Sequence, residues 1–126
     1  MNLVKFVSSV LLGLLFLVAG VNKIFNIQST SKGLQSITNL NRIPLFFFKI
    51  VIIAVIIIEI LAPIIITLYS GNMVSKTLTK GAVISLVVFT ILASFLYHSP
   101  LEASERISFM KNMSIVGGLL AFYGLI

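Results

Sequence analysis

Hydrophobic and polar positions alternate along this chain in long blocks. Four apolar segments, at residues 3–25, 46–69, 81–97 and 109–126, are separated by shorter polar stretches. An apolar helix crosses a hydrocarbon layer roughly 30 Å thick with about 20 residues, because each residue adds about 1.5 Å. The pattern therefore predicts an all-α, polytopic membrane protein. We expect one domain, an antiparallel bundle of four transmembrane helices with both termini on the same side of the membrane.

The longest polar stretch, residues 26–43, is rich in Ser, Thr, Asn and Gln. Leu34, Ile37 and Leu40 recur within it at roughly helical spacing. Gly33 lowers the helical preference of the segment. The pattern leaves two alternatives open, a short interfacial helix or an ordered loop that covers one end of the bundle.

The connection after the third apolar segment contains the sequence Ser99-Pro100-Leu101-Glu102. A serine at the cap, a proline at the first helical position and a glutamate three residues after the cap form a capping box. The pattern predicts that a short helix begins at Pro100 and that Glu102 completes its capping box, with a chemical role for Glu102 as the alternative. Glu105 and Arg106 are expected to be solvated or to contact lipid head groups.

Composition supports a membrane protein and narrows its partners. The chain is 59% hydrophobic and 10% charged, with a mean hydropathy of +1.18. The net charge of +6 comes from cations that are spread over helix ends, so we expect membrane lipids with anionic head groups as partners, and no nucleic acid. One histidine and no cysteine make too few ligands for an ordinary transition-metal site. No metal is expected.

Glu59 is the acidic residue near the middle of the apolar segment 46–69. A charged side chain at that depth is costly unless it is paired, so an intramembrane carboxylate indicates a functional site by default. Pro63, four residues later, has no N–H to donate to the carbonyl of residue 59. The alternative is that Glu59 is a structural clasp that fixes the register of the helices.

Thr90, Ser94 and His98 recur every four residues and so share one face of the third segment. Depth along the helices places Thr90 and Ser94 nearest to Glu59 and favours them as its direct hydrogen-bonding neighbours. An ion pair between Glu59 and either Lys23 or Lys111 is the less favoured arrangement. Taken alone, such a stripe is also typical of hydroxyls that bond to carbonyls of their own helix.

Antiparallel packing brings Lys23, His98, Lys111 and Asn112 to one membrane face. These residues are predicted to form a cationic mouth above the deeper Glu59. The resulting polar column suits a proton path, or the head group of a quinone or another small polar ligand. Glu59 and His98 are the candidate catalytic residues for proton transfer, and Lys23, Thr90, Ser94, Lys111 and Asn112 are the candidate ligand-binding residues.

Several blocks give the chain a family resemblance. They are Gly-Leu-Leu-Phe-Leu-Val-Ala-Gly before Lys23, Glu59 in its aliphatic run, Phe95-Leu96-Tyr97-His98-Ser99, and Phe109-Met110-Lys111-Asn112 followed by Gly117-Gly118. In these blocks the sequence resembles the DoxX family of small four-helix membrane proteins. One departure is that relatives often have glycines directly after the glutamate, where this chain has Ile60 to Pro63.

The resemblance implies a four-span bundle in a bacterial-type plasma membrane and a redox association. Some members are subunits of a thiosulfate:quinone oxidoreductase or of a terminal quinol oxidase. Lys23, Glu59, His98, Lys111 and Asn112 fall on motif positions of that family and are carried over as its polar site.

The leading hypothesis is a redox-associated membrane subunit that binds a quinone-like or other small polar ligand, with quinone as the candidate cofactor. Partner membrane or redox subunits are expected. A second hypothesis is a non-enzymatic subunit that assembles or stabilises a larger complex. A third is a proton or ion pathway, which would require a homo-oligomer because four short helices leave little room for a pore.

Overall fold

The computed structural model describes residues 3–126. In that range the regular secondary structure is entirely α-helical. The helices are α1 (Leu3–Ile24), α2 (Ile27–Ile37), α3 (Leu45–Ser70), α4 (Lys76–Tyr97) and α5 (Arg106–Gly124). The prediction of an all-α protein is thus confirmed. Within the described residues, three helices, α1, α3 and α4, are long and apolar enough to cross a membrane, which indicates an integral membrane protein.

The polar stretch between the first two apolar segments contains α2, so the helical alternative is correct. Its buried side chains, Ser31 and Leu34, lie one turn apart, while Lys32 and Ser36 are exposed. Leu34 belongs to a small apolar cluster with three residues of α3, namely Phe48, Ile52 and Ile56. The amphipathic helix α2 therefore packs against the N-terminal half of α3.

The capping-box prediction is wrong, because no helix begins at Pro100. Residues 98–105 form turns, bends and irregular backbone, and α5 begins only at Arg106. His98 Nδ1 lies 2.6 Å from Glu105 Oε2 and donates a hydrogen bond to it. This bond joins the two ends of the connection and holds it as a loop. Glu105, which was expected to be solvated, is thus bonded to His98.

The larger apolar core lies between α1, α3, α4 and α5. Its most deeply buried members, Ile66, Val83, Leu86 and Leu119, have no exposed surface. These residues come from the C-terminal half of α3, the N-terminal half of α4 and the second half of α5. The well-packed part of the molecule is therefore the part that lies away from α2.

Two glycines let α1 approach the backbone of α3. A Cβ atom added to Gly13 would lie 2.8 Å from Pro63 Cβ, and one added to Gly20 would lie 3.1 Å from Glu59 Cβ. Since α1 ends at Ile24, it extends only about one turn beyond the level of Glu59. Beyond that level, α2 replaces α1 as the neighbour of α3, and the interior between the helices is less completely filled.

Candidate functional site

An ion pair between α1 and α3 lies at the centre of the site. Lys23 Nζ donates a hydrogen bond to Glu59 Oε1 over 2.7 Å. The side chain of Glu59 is 1% exposed and that of Lys23 is 24% exposed. The prediction that Thr90 and Ser94 are the direct neighbours of Glu59, in preference to Lys23, is therefore wrong.

The close approach of α1 to α3 explains this pairing. Gly20 lies against Glu59, and Lys23 follows one helical turn later. Side chains on a helix lean toward its N-terminus, so the long Lys23 side chain extends back toward the level of the carboxylate. Depth along the helix axes therefore does not determine the partner of Glu59, because the lysine side chain reaches back by about one helical turn.

Thr90 and Ser94 are buried, but their hydroxyl groups bond within α4. Thr90 Oγ1 donates to the carbonyl of Leu86 over 2.7 Å, and Ser94 Oγ donates to the carbonyl of Thr90 over 2.5 Å. Both hydroxyl protons are used in these bonds, so neither hydroxyl donates to Glu59. The stripe is an example of the intrahelical bonding that Ser and Thr commonly make in membrane helices.

Within the described residues, no hydrogen bond or ion pair joins the members of the predicted cationic mouth to one another. His98 bonds to Glu105, Lys111 is exposed and Asn112 is half-buried. Among the described residues, neither Lys111 nor Asn112 makes a side-chain hydrogen bond or an ion pair with another predicted site residue. Of the seven predicted site residues, Lys23 and Glu59 are the pair that a side-chain to side-chain hydrogen bond joins within the described residues.

A cavity of about 480 Å³ borders the ion pair. Lys23 contributes to its wall, and the other lining residues come from α2, α3 and α4. They are Thr30, Gly33, Leu34, Val51, Ile52, Val55, Phe89, Leu92, Ala93, Leu96 and Tyr97. We call this space the Lys23 cavity.

Apart from Lys23, the lining residues were not predicted from the sequence. The cavity exists because α2 packs on α3 near the end of α1, and no local pattern reports that arrangement. A weak signal is present in the small residues Gly33 and Ala93, which lie on helices that face each other across the cavity. A Cβ atom added to Gly33 would meet no heavy atom within 4 Å, so this wall is open.

The Lys23 cavity combines an apolar wall with one cation. An ammonium group has three N–H donors, and within the described residues Lys23 Nζ donates one hydrogen bond, to Glu59. A polar group in the cavity would therefore meet the ammonium first, with the carboxylate behind it. Such an arrangement suits an amphiphilic molecule with a small hydrogen-bond-accepting head and an apolar body.

Comparison with known families corrects the DoxX resemblance. The sequence model of the family described as methylamine utilisation protein MauE matches residues 1–104, so the DoxX assignment is wrong. Two of the blocks that carried the resemblance, at residues 109–112 and 117–118, lie outside the matched range. The Lys23–Glu59 pair lies within that range. No curated protein and no solved structure matches the chain significantly.

Proposed function

Because the chain belongs to the methylamine utilisation protein MauE family, we propose that it is a redox-associated membrane subunit serving methylamine utilisation. In this proposal it binds a quinone-like ligand in the Lys23 cavity. The observation that carries the proposal is a cavity of about 480 Å³ that is lined by Lys23, the partner of the buried Glu59.

The lining residues fit the chemistry of a quinone. The Lys23 ammonium would donate a hydrogen bond to a carbonyl oxygen, and apolar residues such as Phe89 and Leu92 would contact the ring and the start of its tail. A bound quinone would supply an acceptor for electrons and protons. Glu59, directly behind Lys23, would accept or donate a proton beside the head group.

The same proposal includes a four-span, multi-pass topology in which α5 is the fourth crossing. The helix α5 has 19 residues, a length of about 28 Å, and shares the apolar core with α1, α3 and α4. Lys5 Nζ lies 5.0 Å from the Tyr69 ring centroid and Lys80 Nζ lies 5.5 Å from that of Tyr123. The first contact places the start of α1 beside the end of α3, and the second places the end of α5 beside the start of α4. Because a short connection joins α3 to α4, these contacts support both termini on one side of the membrane.

Quinone binding can be measured by tyrosine fluorescence, because the chain has no tryptophan and Tyr97 lines the cavity. We expect saturable quenching when a short-tail benzoquinone is added to the purified protein in detergent. Gly33→Leu should weaken binding at least about tenfold, which corresponds to about 1.4 kcal/mol, because the new side chain occupies the cavity.

Gly117→Leu is the matched control, since Gly117 is exposed on α5 and also has open space around its Cα. It should bind the quinone as the wild type does. Tyr97→Phe should remove most of the change in fluorescence while binding persists by equilibrium dialysis. Absence of saturable binding by the wild type, or equal binding by Gly33→Leu, would contradict the proposal.

A second candidate function is a non-enzymatic subunit that stabilises or assembles a larger complex. The observation that favours it is that Lys23 and Glu59 join α1 to α3 where Gly20 packs against Glu59. In this alternative the pair only clasps the helices. A folded variant without the pair that retains quinone binding and supports growth on methylamine would favour the structural role.

A further inference from the structure

The segment from α2 to the first turns of α3 carries cations and no anions. Lys32, Arg42 and Lys49 lie in it, and Glu59 is the first acidic residue of the whole chain. Lys32 and Arg42 are exposed and Lys49 is partly buried. Within the described residues, none of the three makes an ion pair or a side-chain hydrogen bond. Their charges are therefore available to an anionic partner.

Local contacts bring Lys32 and Arg42 to the same side of the molecule. Gln35 Nε2 donates a hydrogen bond to the carbonyl of Ile43 over 2.9 Å, which ties the α2–α3 connection back onto α2. Lys32 lies one helical turn before Gln35, and Arg42 immediately precedes Ile43. The two cations thus flank one hydrogen bond. We call Lys32 and Arg42 the basic surface.

Exposed apolar side chains lie directly beside the basic surface. Leu40 is 47% exposed, Phe46 is 66% exposed and Phe47 is 55% exposed. The Phe46 and Phe47 rings pack edge to face, with centroids 6.0 Å apart. Cations next to exposed aromatic and aliphatic groups are typical of segments that lie where lipid head groups meet acyl chains.

We propose that the basic surface binds the phosphate head groups of anionic phospholipids, with Phe46 and Phe47 in contact with the adjoining acyl chains. The cations provide the charge complementarity, and the neighbouring apolar side chains favour a lipid over a free anion in water. The proposal is independent of the Lys23 cavity. In this proposal α2 both lines the Lys23 cavity and binds lipid at the surface of the protein.

A single tryptophan at position 47 provides a local probe, since the natural chain contains none. Phe47→Trp protein is reconstituted into phosphatidylcholine vesicles that contain either brominated phosphatidylglycerol or the same amount of brominated phosphatidylcholine. Bromine quenches tryptophan at short range, so we expect stronger quenching by the anionic lipid. Lys32→Gln/Arg42→Gln should lower that preference by about fivefold for each cation removed.

The matched control removes two exposed lysines, Lys76 and Lys80, from the first two turns of α4. Lys76→Gln/Lys80→Gln has the same net charge as the first double variant and should keep the preference. Equal quenching by the two lipids, or an equal loss in both double variants, would overturn the proposal. Competition by inorganic phosphate at constant ionic strength would also overturn it, because it would indicate a site for a small anion.

Discussion

At the scale of single residues, Lys23 and Glu59 differ in their access to the Lys23 cavity. Glu59 is 1% exposed and its short side chain is enclosed between α1 and α3, whereas Lys23 is 24% exposed and lines the cavity. An ammonium group that loses its partner can turn into the cavity or extend toward an interface. A carboxylate that loses its partner has no comparable alternative. The two residues should therefore not be equivalent in mutagenesis.

We expect Lys23→Met to lower the free energy of unfolding by about 3–5 kcal/mol, because it leaves Glu59 buried without its charged partner. Glu59→Gln should cost less, since Lys23 keeps a route into the cavity. Reversible denaturant titration in detergent micelles, followed by circular dichroism, measures both losses. A Lys23→Met protein as stable as the wild type would show that the pair contributes nothing to folding.

The double variant Lys23→Met/Glu59→Leu separates charge from packing. Replacing a buried pair by apolar residues of similar volume is often neutral, so this protein should recover most of the stability lost in Lys23→Met. It then also serves as the folded protein without the pair in the quinone-binding measurement. Loss of binding in a stable double variant would support the ligand-binding function over the structural one.

At the scale of elements, the contact between α1 and α3 sets the geometry of the site. Gly13 and Gly20 lie on one face of α1, seven residues apart, and they lie against Pro63 and Glu59 of α3. Small residues of this kind let helices approach closely in lipid. The approach at Gly20 places the base of the Lys23 side chain within reach of Glu59. Packing and charge pairing are therefore coupled at this contact.

Gly20→Ala should destabilise the protein by about 1–3 kcal/mol, because its Cβ would lie 2.9 Å from Ile60 Cγ1 and 3.1 Å from Glu59 Cβ. Gly117→Ala on α5 is the control. Its Cβ would meet no heavy atom within 4 Å, so it should instead stabilise the helix by up to about 1 kcal/mol. Thermal unfolding in detergent compares the two. Equal effects would mean that α1 and α3 are less closely packed than described.

At the scale of the whole molecule, the interior has two unlike parts. The part built around Ile66, Leu86 and Leu119 is apolar and closely packed. The other part contains the Lys23–Glu59 pair and the Lys23 cavity, where α2 has replaced α1 beside α3. The division follows from the lengths of the two helices. The helix α1 ends at Ile24, about one turn beyond Glu59, whereas α3 begins at Leu45, which is 14 residues before Glu59. The proposed ligand site and the apolar core thus occupy separate parts of one small protein.

The proposed four-span topology can be tested by cysteine labelling, since the natural chain has no cysteine. Single cysteines at the exposed positions Asn41 and Ser104 should react with an impermeant maleimide from one side of sealed vesicles. Cysteines at Met73 and Leu125 should react only from the other side. Labelling of the Leu125→Cys protein from the same side as Ser104→Cys would show that α5 does not cross.

Much of the helical architecture follows from local pattern, because long apolar blocks leave a chain in lipid few alternatives to the helix. Local pattern also indicates Glu59 as an unusual residue, since a carboxylate in an aliphatic run is costly. Local pattern did not identify the correct family, because short aliphatic blocks with glycines recur in many membrane helices. It also failed at Pro100, where the bond between His98 and Glu105 joins the ends of the connection and the helix begins later.

Tertiary structure alone decided which polar groups meet. The partner of Glu59 depends on the approach of α1 to α3 at Gly20 and on the direction in which the Lys23 side chain leans. Neither is a property of one segment. The Lys23 cavity likewise depends on α2 packing beside α3 beyond the end of α1. Helix formation is governed by neighbours along the chain, whereas charge pairing and cavities are governed by distances between segments that the sequence keeps apart.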